Sequence, residues 1–363
     1  MAEDFLLVLR WWGVLFLFGA AAFPLTKQLF RGWWDGGYLF SKAVGMAVVG
    51  WIVYVLGTLR ILPFSLVSIT VALWIVIGVG AFLLKGKNIY KEHRVKRVIL
   101  YFFEELFFFG ALLFWTWIKA HEPSIRGLEK FMDFGFMKSI LESSYFPAND
   151  MWFAGHTINY YYFGHIVTAV LTKFSGIDLT ITFNLMLATI FALTLTMSFS
   201  IGKQICQLGH MRKIGQIAGG FLTAFLVTLS GNMQTLYAFT KGYTGDNVKP
   251  FWQLWWTPKD IAGLGQVWEK IGEGLNRYWY ANATRFIPFT IHEFPSYSFV
   301  VSDIHGHVLS LPFVLLAIGL LIQLFNKGDV FSSSRTPIRD PSVAQNGFRV
   351  THSLRSMQVP GIT

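Results

Sequence analysis

Two carboxylates follow the fourth long apolar run of the sequence, at Glu129 and Asp133. If this segment is helical, the two acids share one face, and Arg126, three residues before Glu129, joins it. Such a pair can bind a divalent cation, or one member can act as a general base. The alternative, and the commoner meaning of an isolated pair, is a solvated helix whose acids pair with Arg126 and Lys130.

A second cluster of ionisable residues comes just before the last apolar run. Glu293 follows His292, and Asp303, His305 and His307 occur at every second position. These residues are close enough in sequence to share a metal or a phosphate, and imidazole with carboxylate suits Mn²⁺ or Zn²⁺. The spacing differs from the helical zinc motif H-E-x-x-H. An N-capping Asp303 with two interfacial histidines is the alternative.

Three consecutive tyrosines, Tyr160, Tyr161 and Tyr162, begin another short apolar run. Their simplest meaning is an aromatic belt at the membrane–water interface. Stacked aromatic faces and phenol hydroxyls at this depth would also suit a polyisoprenoid or sugar ligand. His165, one turn further on, is an additional candidate for ligand binding.

The composition identifies lipid as the solvent of much of this chain. Of its 363 residues, 53% are hydrophobic, 17% aromatic and only 14% charged, whereas soluble domains have about 25% charged residues. The net charge of +10 resides largely in basic residues between apolar runs, which is typical of cytoplasmic loops rather than of nucleic-acid binding. Cys206 is the only cysteine, which excludes an intrachain disulfide and a cysteine-based metal cluster.

Seven apolar runs approach the length needed to cross a membrane. They are 5–23, 38–57, 61–84, 98–118, 178–202, 214–231 and 306–325. The run 159–174 is shorter, and we interpret it as an interfacial or re-entrant helix. Basic residues in 85–97 and 203–213 predict that both connections are cytoplasmic. The amino terminus and two large loops, 119–177 and 232–304, then lie on the extracytoplasmic face of the plasma membrane.

The predicted fold class is an all-α polytopic membrane protein with about seven transmembrane helices, an interfacial helix and two large outer-face loops. We expect an N-terminal three-span segment at 1–97, a membrane core at 98–326 and a polar, disordered tail at 327–363. The spans are nearly free of charge, apart from Glu104 and Glu105. An ion-coupled transporter usually keeps ionisable groups near mid-membrane, so this pattern favours chemistry in the outer loops.

Several of these motifs together resemble a prokaryotic membrane family named for its triple tyrosine, the YYY or DUF2298 family. The segments that carry the resemblance are 121–133, 146–155, 158–165 and 302–307. The similarity runs from the first apolar run to about residue 325. Members of that family are usually much longer, whereas this chain turns polar after about 327. A truncation or a shifted reading frame would produce that difference, and the chain would then lack part of its donor site.

The family is in turn distantly similar to the GT-C glycosyltransferases, which move a sugar from a polyprenyl phosphate carrier on the outer face of the membrane. In that architecture a span leads into a long first loop that carries an acidic residue. The resemblance implies that 98–118 is this span, that Asp133 is the acid and that 159–174 is a surface helix. Asp133 would serve as a base or hold a cation, with Glu129 in support.

The resulting hypothesis is a GT-C-like glycosyltransferase whose partners are membrane lipid and a polyprenyl-phosphate-linked sugar, not nucleic acid. A divalent cation, Mg²⁺ or Mn²⁺, is the expected cofactor. The expected substrate-binding residues are Arg126, Lys130, Tyr160, Tyr161, Tyr162 and His165, and the expected metal ligands are Asp303, His305, His307 and Glu293. The rival hypotheses are a non-catalytic lipid- or glycan-binding scaffold and, third, a transporter.

Overall fold

The helices account for nearly all the regular structure of this chain. A computed structural model describes residues 2–85, 94–242, 249–257, 260, 263–277, 283–285, 287 and 289–333, with the side chains of 327–333 outside that description. The α-helices are α1 Ala2–Leu29, α2 Ser41–Thr58, α3 Leu66–Leu84, α4 Arg94–Ala120, α5 Lys130–Glu142, α6 Phe163–Ser175, α7 Leu179–Leu208, α8 Lys213–Thr228, α9 Leu264–Arg277, α10 Pro295–Val301 and α11 Gly306–Ser333. In these ranges the only β pairing is an isolated bridge between Asn149 and Thr157.

Six stretches of the described chain are helical, long and apolar enough to cross a membrane. They are Glu3–Leu29, Tyr38–Thr58, Leu66–Leu84, Val95–Ala120, Leu179–Leu208 and Gly306–Asn326. The remaining predicted run, 214–231, forms the shorter apolar helix α8. At 16 residues, α8 is below the roughly 20 residues that span a bilayer. The structure therefore has six such helices where about seven were predicted, and the fold class, an all-α polytopic membrane protein, is confirmed.

Large apolar side chains cover the outer faces of these helices. Trp74 and Phe82 on α3, Phe103 on α4 and Ile214 on α8 are all more than half exposed. A monomer in water rarely shows so much contiguous apolar surface, whereas lipid tails solvate it without cost. The exposed faces are those that a bilayer would cover.

Local sequence signals set several helix ends near the candidate site. Asp178 caps α7 by accepting a hydrogen bond from the Thr180 N–H at 2.8 Å. Gly176 ends α6 in the left-handed conformation, and Pro295 occupies the first turn of α10. Between α7 and α8, Gly202 allows close approach, since a Cβ there would lie 2.8 Å from the Gly219 carbonyl oxygen.

The two long loops meet at one end of the helix bundle. Asn184, in the second turn of α7, donates to the Pro123 carbonyl at 2.9 Å, and Glu129 contacts His305 at 3.0 Å. The first loop therefore lies beside the turn that precedes α11. That 119–177 and 232–304 lie on the extracytoplasmic face of the membrane stays a prediction.

Helix α6 is the short apolar segment that we placed at the interface or in a re-entrant position. It contacts α1, α2, α3, α5 and α7. Nine of its 13 residues are buried, including the whole run 165–172. Since a helix lying on a membrane surface exposes one face, this burial favours the re-entrant alternative. Lys173, near its end, donates to the carbonyls of Phe64 and Leu141.

Two sequence-based expectations need correction. The spans are not nearly free of charge, because Lys42 is buried and bonded to Glu105, and Glu104 is buried beside them. A lysine at the start of an apolar run resembles a snorkelling residue, but the packing of α2 directs it inward. The tail does not begin at 327, since α11 continues to Ser333. The rest of the tail and most of the basic connection 85–97 lie outside the described residues.

Clustering of contacts divides the chain into two compact units, 1–320 and 321–363. All residues of the candidate site described below belong to the first unit. Of the second unit, the described part is the carboxyl-terminal portion of α11.

Candidate functional site

Asp133 lies in the first turn of α5 and has no exposed surface. Its N–H bonds to the Glu129 carbonyl at 3.1 Å, so the two acids are one turn apart as expected. Arg126 does not share their face, because Gly127 and Leu128 adopt positive φ values of 80° and 49° and turn the chain before the helix begins. The Arg126 side chain is exposed.

The imidazole of His165 is the hydrogen-bond partner of Asp133. Its Nε2 lies 2.8 Å from Asp133 Oδ1, and the His165 side chain is also fully buried. Burial lowers the pKa of His165 to about 4, so the ring is neutral at neutral pH and donates from Nε2. The other ring nitrogen, Nδ1, is buried without a hydrogen-bond partner.

Asp303 reaches Asp133 from the turn between α10 and α11. The two carboxyl groups are close enough for each to affect the ionisation of the other. Burial raises the pKa of Asp133 to about 7; burial and the neighbouring Asp133 raise that of Asp303 to about 6. Ionisation of one carboxyl disfavours ionisation of the other, so the pair favours a single bound proton near neutral pH. Asp133 Oδ2 and Asp303 Oδ1 are buried without a hydrogen-bond partner.

His305 connects this buried pair to the surface. Its Nδ1 lies 3.0 Å from the Glu129 carboxylate, and its Nε2 contacts the hydroxyls of Tyr160 and Tyr161, the latter at 3.1 Å. The two tyrosine rings stack with centroids 3.9 Å apart. The His305 carbonyl also accepts from the first turn of α11. Of the three tyrosines, only Tyr160 and Tyr161 contact His305, whereas the Tyr162 side chain interacts with Tyr54.

His307 and Glu293 form a separate, more exposed pair. The His307 Nε2 lies 2.7 Å from a Glu293 carboxylate oxygen. The expected metal ligands Asp303, His305, His307 and Glu293 therefore lie in one region but bond in pairs. Within the described residues, no three His, Cys, Asp or Glu side chains converge as a metal site. The bound cation stays a prediction.

An apolar cleft of about 420 Å³ opens beside this cluster, between the start of α6 and the first two turns of α11. It is lined by Tyr161, Phe163, Gly164, Gly306, His307, Leu309, Ser310 and Phe313. Gly306 is required where the Tyr161 ring crosses α11, because a Cβ there would lie 2.2 Å from a ring carbon. Tyr161 and His307 belong to both the polar cluster and the cleft.

Two buried lysines complete the charge of the site. Lys130, the first residue of α5, acts electrostatically on Asp303, and burial lowers its pKa. Lys119, at the end of α4, lies near Lys130 and donates to the Glu122 carbonyl. The sequence singled out Lys130 but not Lys119, which looked like an ordinary lysine at the end of a span. Lys119 lies only 11 residues before Lys130, the first residue of α5, and this short separation in sequence could have identified it.

Comparison with known proteins places the chain in a family. No curated protein and no solved structure matches it significantly. A family model described as uncharacterized membrane protein (DUF2298) matches residues 48–341, about four-fifths of the chain. The matched range contains both long loops and all the residues of the site. The chain belongs to the DUF2298 family of membrane proteins.

Proposed function

We propose that this multi-pass membrane protein is a transferase that moves a sugar from a polyprenyl-phosphate donor to an acceptor hydroxyl. One observation carries the proposal: Asp133 and Asp303, 170 residues apart in sequence, form a carboxyl pair beside an apolar cleft. An enzyme acting on a lipid-borne substrate needs polar groups at the membrane boundary and an apolar surface for the chain. The GT-C likeness of the sequence pattern supports the same reaction class.

The carboxyl pair suits proton transfer from the acceptor. The ionised member accepts the acceptor's hydroxyl proton as the new C1–O bond forms, and the bond from C1 to the phosphate oxygen breaks with its electron pair leaving on polyprenyl phosphate. Asp303 retains 8% of its surface exposed and Asp133 none. We therefore assign the base to Asp303, where the sequence favoured Asp133, and give Asp133 the shared proton.

The surrounding residues would orient and neutralise the substrate. His165 fixes Asp133 by donating to one of its oxygens. Lys130 and Lys119 supply positive charge for the departing phosphate. The unpartnered oxygens of Asp133 and Asp303 are hard ligands of the kind that Mg²⁺ or Mn²⁺ prefers, and a cation there would neutralise phosphate charge.

The apolar cleft would hold the first isoprene units of the donor. Its walls are the aromatic rings of Phe163 and Phe313 and the Leu309 side chain, and its mouth is formed by Tyr161 and His307. This arrangement would place a phosphate near the carboxyl pair while the chain extends along α11 into lipid. The exposed Tyr161 ring also offers a face on which a sugar can stack.

Release of polyprenyl phosphate from a sugar-linked donor tests the proposal. Purified protein in lipid nanodiscs would be incubated with a panel of polyprenyl-phosphate sugars, and both donor binding and phosphate-lipid release would be measured. We expect release by the native protein, loss of release but not of binding in Asp303→Asn, and normal release in Glu142→Gln, which alters an exposed carboxylate at the end of α5. Binding without release in the native protein would instead identify a lipid-binding scaffold.

A further inference from the structure

A second buried polar cluster lies in the bundle, among α1, the start of α2, the first half of α4 and the end of α7. Its centre is Glu105, whose carboxylate contacts the Lys42 ammonium and accepts hydrogen bonds from Trp12 and Tyr38, both at 2.7 Å. Both oxygens of the Glu105 carboxylate therefore accept hydrogen bonds. This carboxylate is separate from the carboxyl pair, because α4 continues for about four turns beyond Glu105 before it reaches Lys119.

The neighbouring Glu104 is different, because it is buried but has no partner. Only 5% of its surface is exposed, and neither carboxylate oxygen makes a hydrogen bond. The charged groups close enough to act on it are Asp35, Lys203, Lys42 and Glu105. An ionised carboxylate left in this state would pay a large desolvation cost without compensation.

The charges of this cluster do not balance when every group is ionised. Three acids, Asp35, Glu104 and Glu105, face two lysines, Lys42 and Lys203. Lys42 is committed to Glu105, and Lys203 lies 3.3 Å from the centre of the Trp34 ring. One further positive charge is therefore needed to neutralise the buried site.

The hydrogen bonds identify where that charge must reside. Asp35 accepts from the backbone N–H groups of Gly37 at 2.7 Å and Leu39 at 3.3 Å, which stabilise its carboxylate form. Glu105 is stabilised as a carboxylate by its three donors. Glu104 alone of the three acids lacks any donor.

We propose that Glu104 is a proton-binding site, a carboxyl group that holds one exchangeable proton at neutral pH. The ligand class is a single monovalent cation, and we assign it as a proton because a proton needs only the carboxyl group itself, whereas Na⁺ or K⁺ requires several oxygen ligands. Further titratable or charged groups beside this cluster are Lys27 on α1, Tyr38 on the turn before α2, and Arg97 and Tyr101 on α4.

Thermal unfolding of two adjacent variants tests this assignment. Glu104→Gln replaces a protonated carboxyl by a neutral group of the same shape, so we expect a melting temperature within about 3 °C of the native value. Glu105→Gln leaves Lys42 buried without its counter-ion, and we expect a decrease of more than about 5 °C. Equal destabilisation by both variants, or failure of Glu104→Gln alone to fold, would overturn the proposal.

The pH and salt dependence separate a proton from a metal cation. The native protein should lose stability between about pH 6 and pH 9 more steeply than Glu104→Gln. The reason is that Glu104 binds its proton in the folded state but not in the unfolded state, so folding becomes less favourable as the pH rises. Parallel curves would overturn the assignment. Stabilisation of the native protein but not of Glu104→Gln by added NaCl or KCl, relative to choline chloride, would show a metal cation in place of the proton.

Discussion

The imidazole of His165 donates to the Asp133 carboxylate across 2.8 Å, and neither side chain has any exposed surface. This bond joins α5 to α6, the two short helices of the first loop. It also occupies one oxygen of Asp133, whereas the other oxygen has no hydrogen-bond partner and Asp303 acts on the same carboxyl group. The geometry of the carboxyl pair therefore depends on a histidine that need not contact substrate.

Replacing His165 by leucine should destabilise the protein while preserving the volume of the core. The change leaves a buried Asp133 oxygen without its donor, which costs about 1–3 kcal/mol in the free energy of unfolding. Thermal unfolding in detergent would measure the loss. His156→Leu is the control, because His156 is exposed and should change stability by less than about 0.5 kcal/mol. Equal melting temperatures for the two variants would contradict the proposed role of His165.

The shared proton predicts how stability depends on pH. The pKa values of Asp133 and Asp303, about 7 and about 6, are raised above the ordinary aspartate value of 3.8. A carboxyl whose pKa is raised by folding contributes most to stability below its unfolded pKa, and this contribution is lost as the pH rises through the folded value. The native protein should thus lose stability as the pH rises from about 5 to about 8.

The Asp303→Asn variant isolates the contribution of the pair to this dependence. It removes one titrating group and the like charge that acts on Asp133, so its stability should change less over the same pH range. Glu142→Gln removes an exposed carboxylate from α5 and should retain the native slope. If Asp303→Asn and the native protein had the same slope, the two carboxyls would not share a proton.

Part of this architecture was predictable because it depends on local properties of the chain. Runs of apolar residues determine the spans. The four-residue spacing of Glu129 and Asp133 places them one turn apart in any helix. The prediction that Arg126 shares this face was wrong, because Gly127 and Leu128 turn the chain before α5 begins. The meeting of Asp133 with Asp303 depends on the packing of two loops, which residue spacing cannot specify. The same holds for Lys42, whose burial depends on the helix beside it.

The close contact of Gly306 with Tyr161 predicts a binding defect without unfolding. In Gly306→Ala the new Cβ would lie 2.2 Å from the Tyr161 ring, so that exposed ring must rotate away and leave His305. We expect normal expression and weaker binding of a polyprenyl phosphate. Gly110→Ala is the control, since a Cβ at Gly110 meets no atom within 4 Å. If Gly306→Ala bound polyprenyl phosphate with the native affinity, Tyr161 would not be part of the binding site.

The apolar cleft predicts a dependence on the length of the lipid chain. A tryptophan at Ser310 would fill the cleft, and displacing even two buried CH₂ groups forfeits about 1.6 kcal/mol, or roughly tenfold in affinity. We expect Ser310→Trp to weaken binding of long-chain donors more than that of short-chain analogues. Val314→Trp, at a lipid-exposed position one turn on, should leave both affinities unchanged. A uniform loss across chain lengths would place the lipid elsewhere.

The most direct test of the central claim is a double-mutant cycle on donor turnover with Asp133→Asn, Asp303→Asn and the two combined. If the carboxyls act as one unit, each single variant should lower the rate by about 10²–10⁴-fold, and the double variant should be no slower than the slower single one. Losses that multiply in the double variant would show that the two residues act independently. A native rate in Asp303→Asn would remove the carboxyl pair from the reaction.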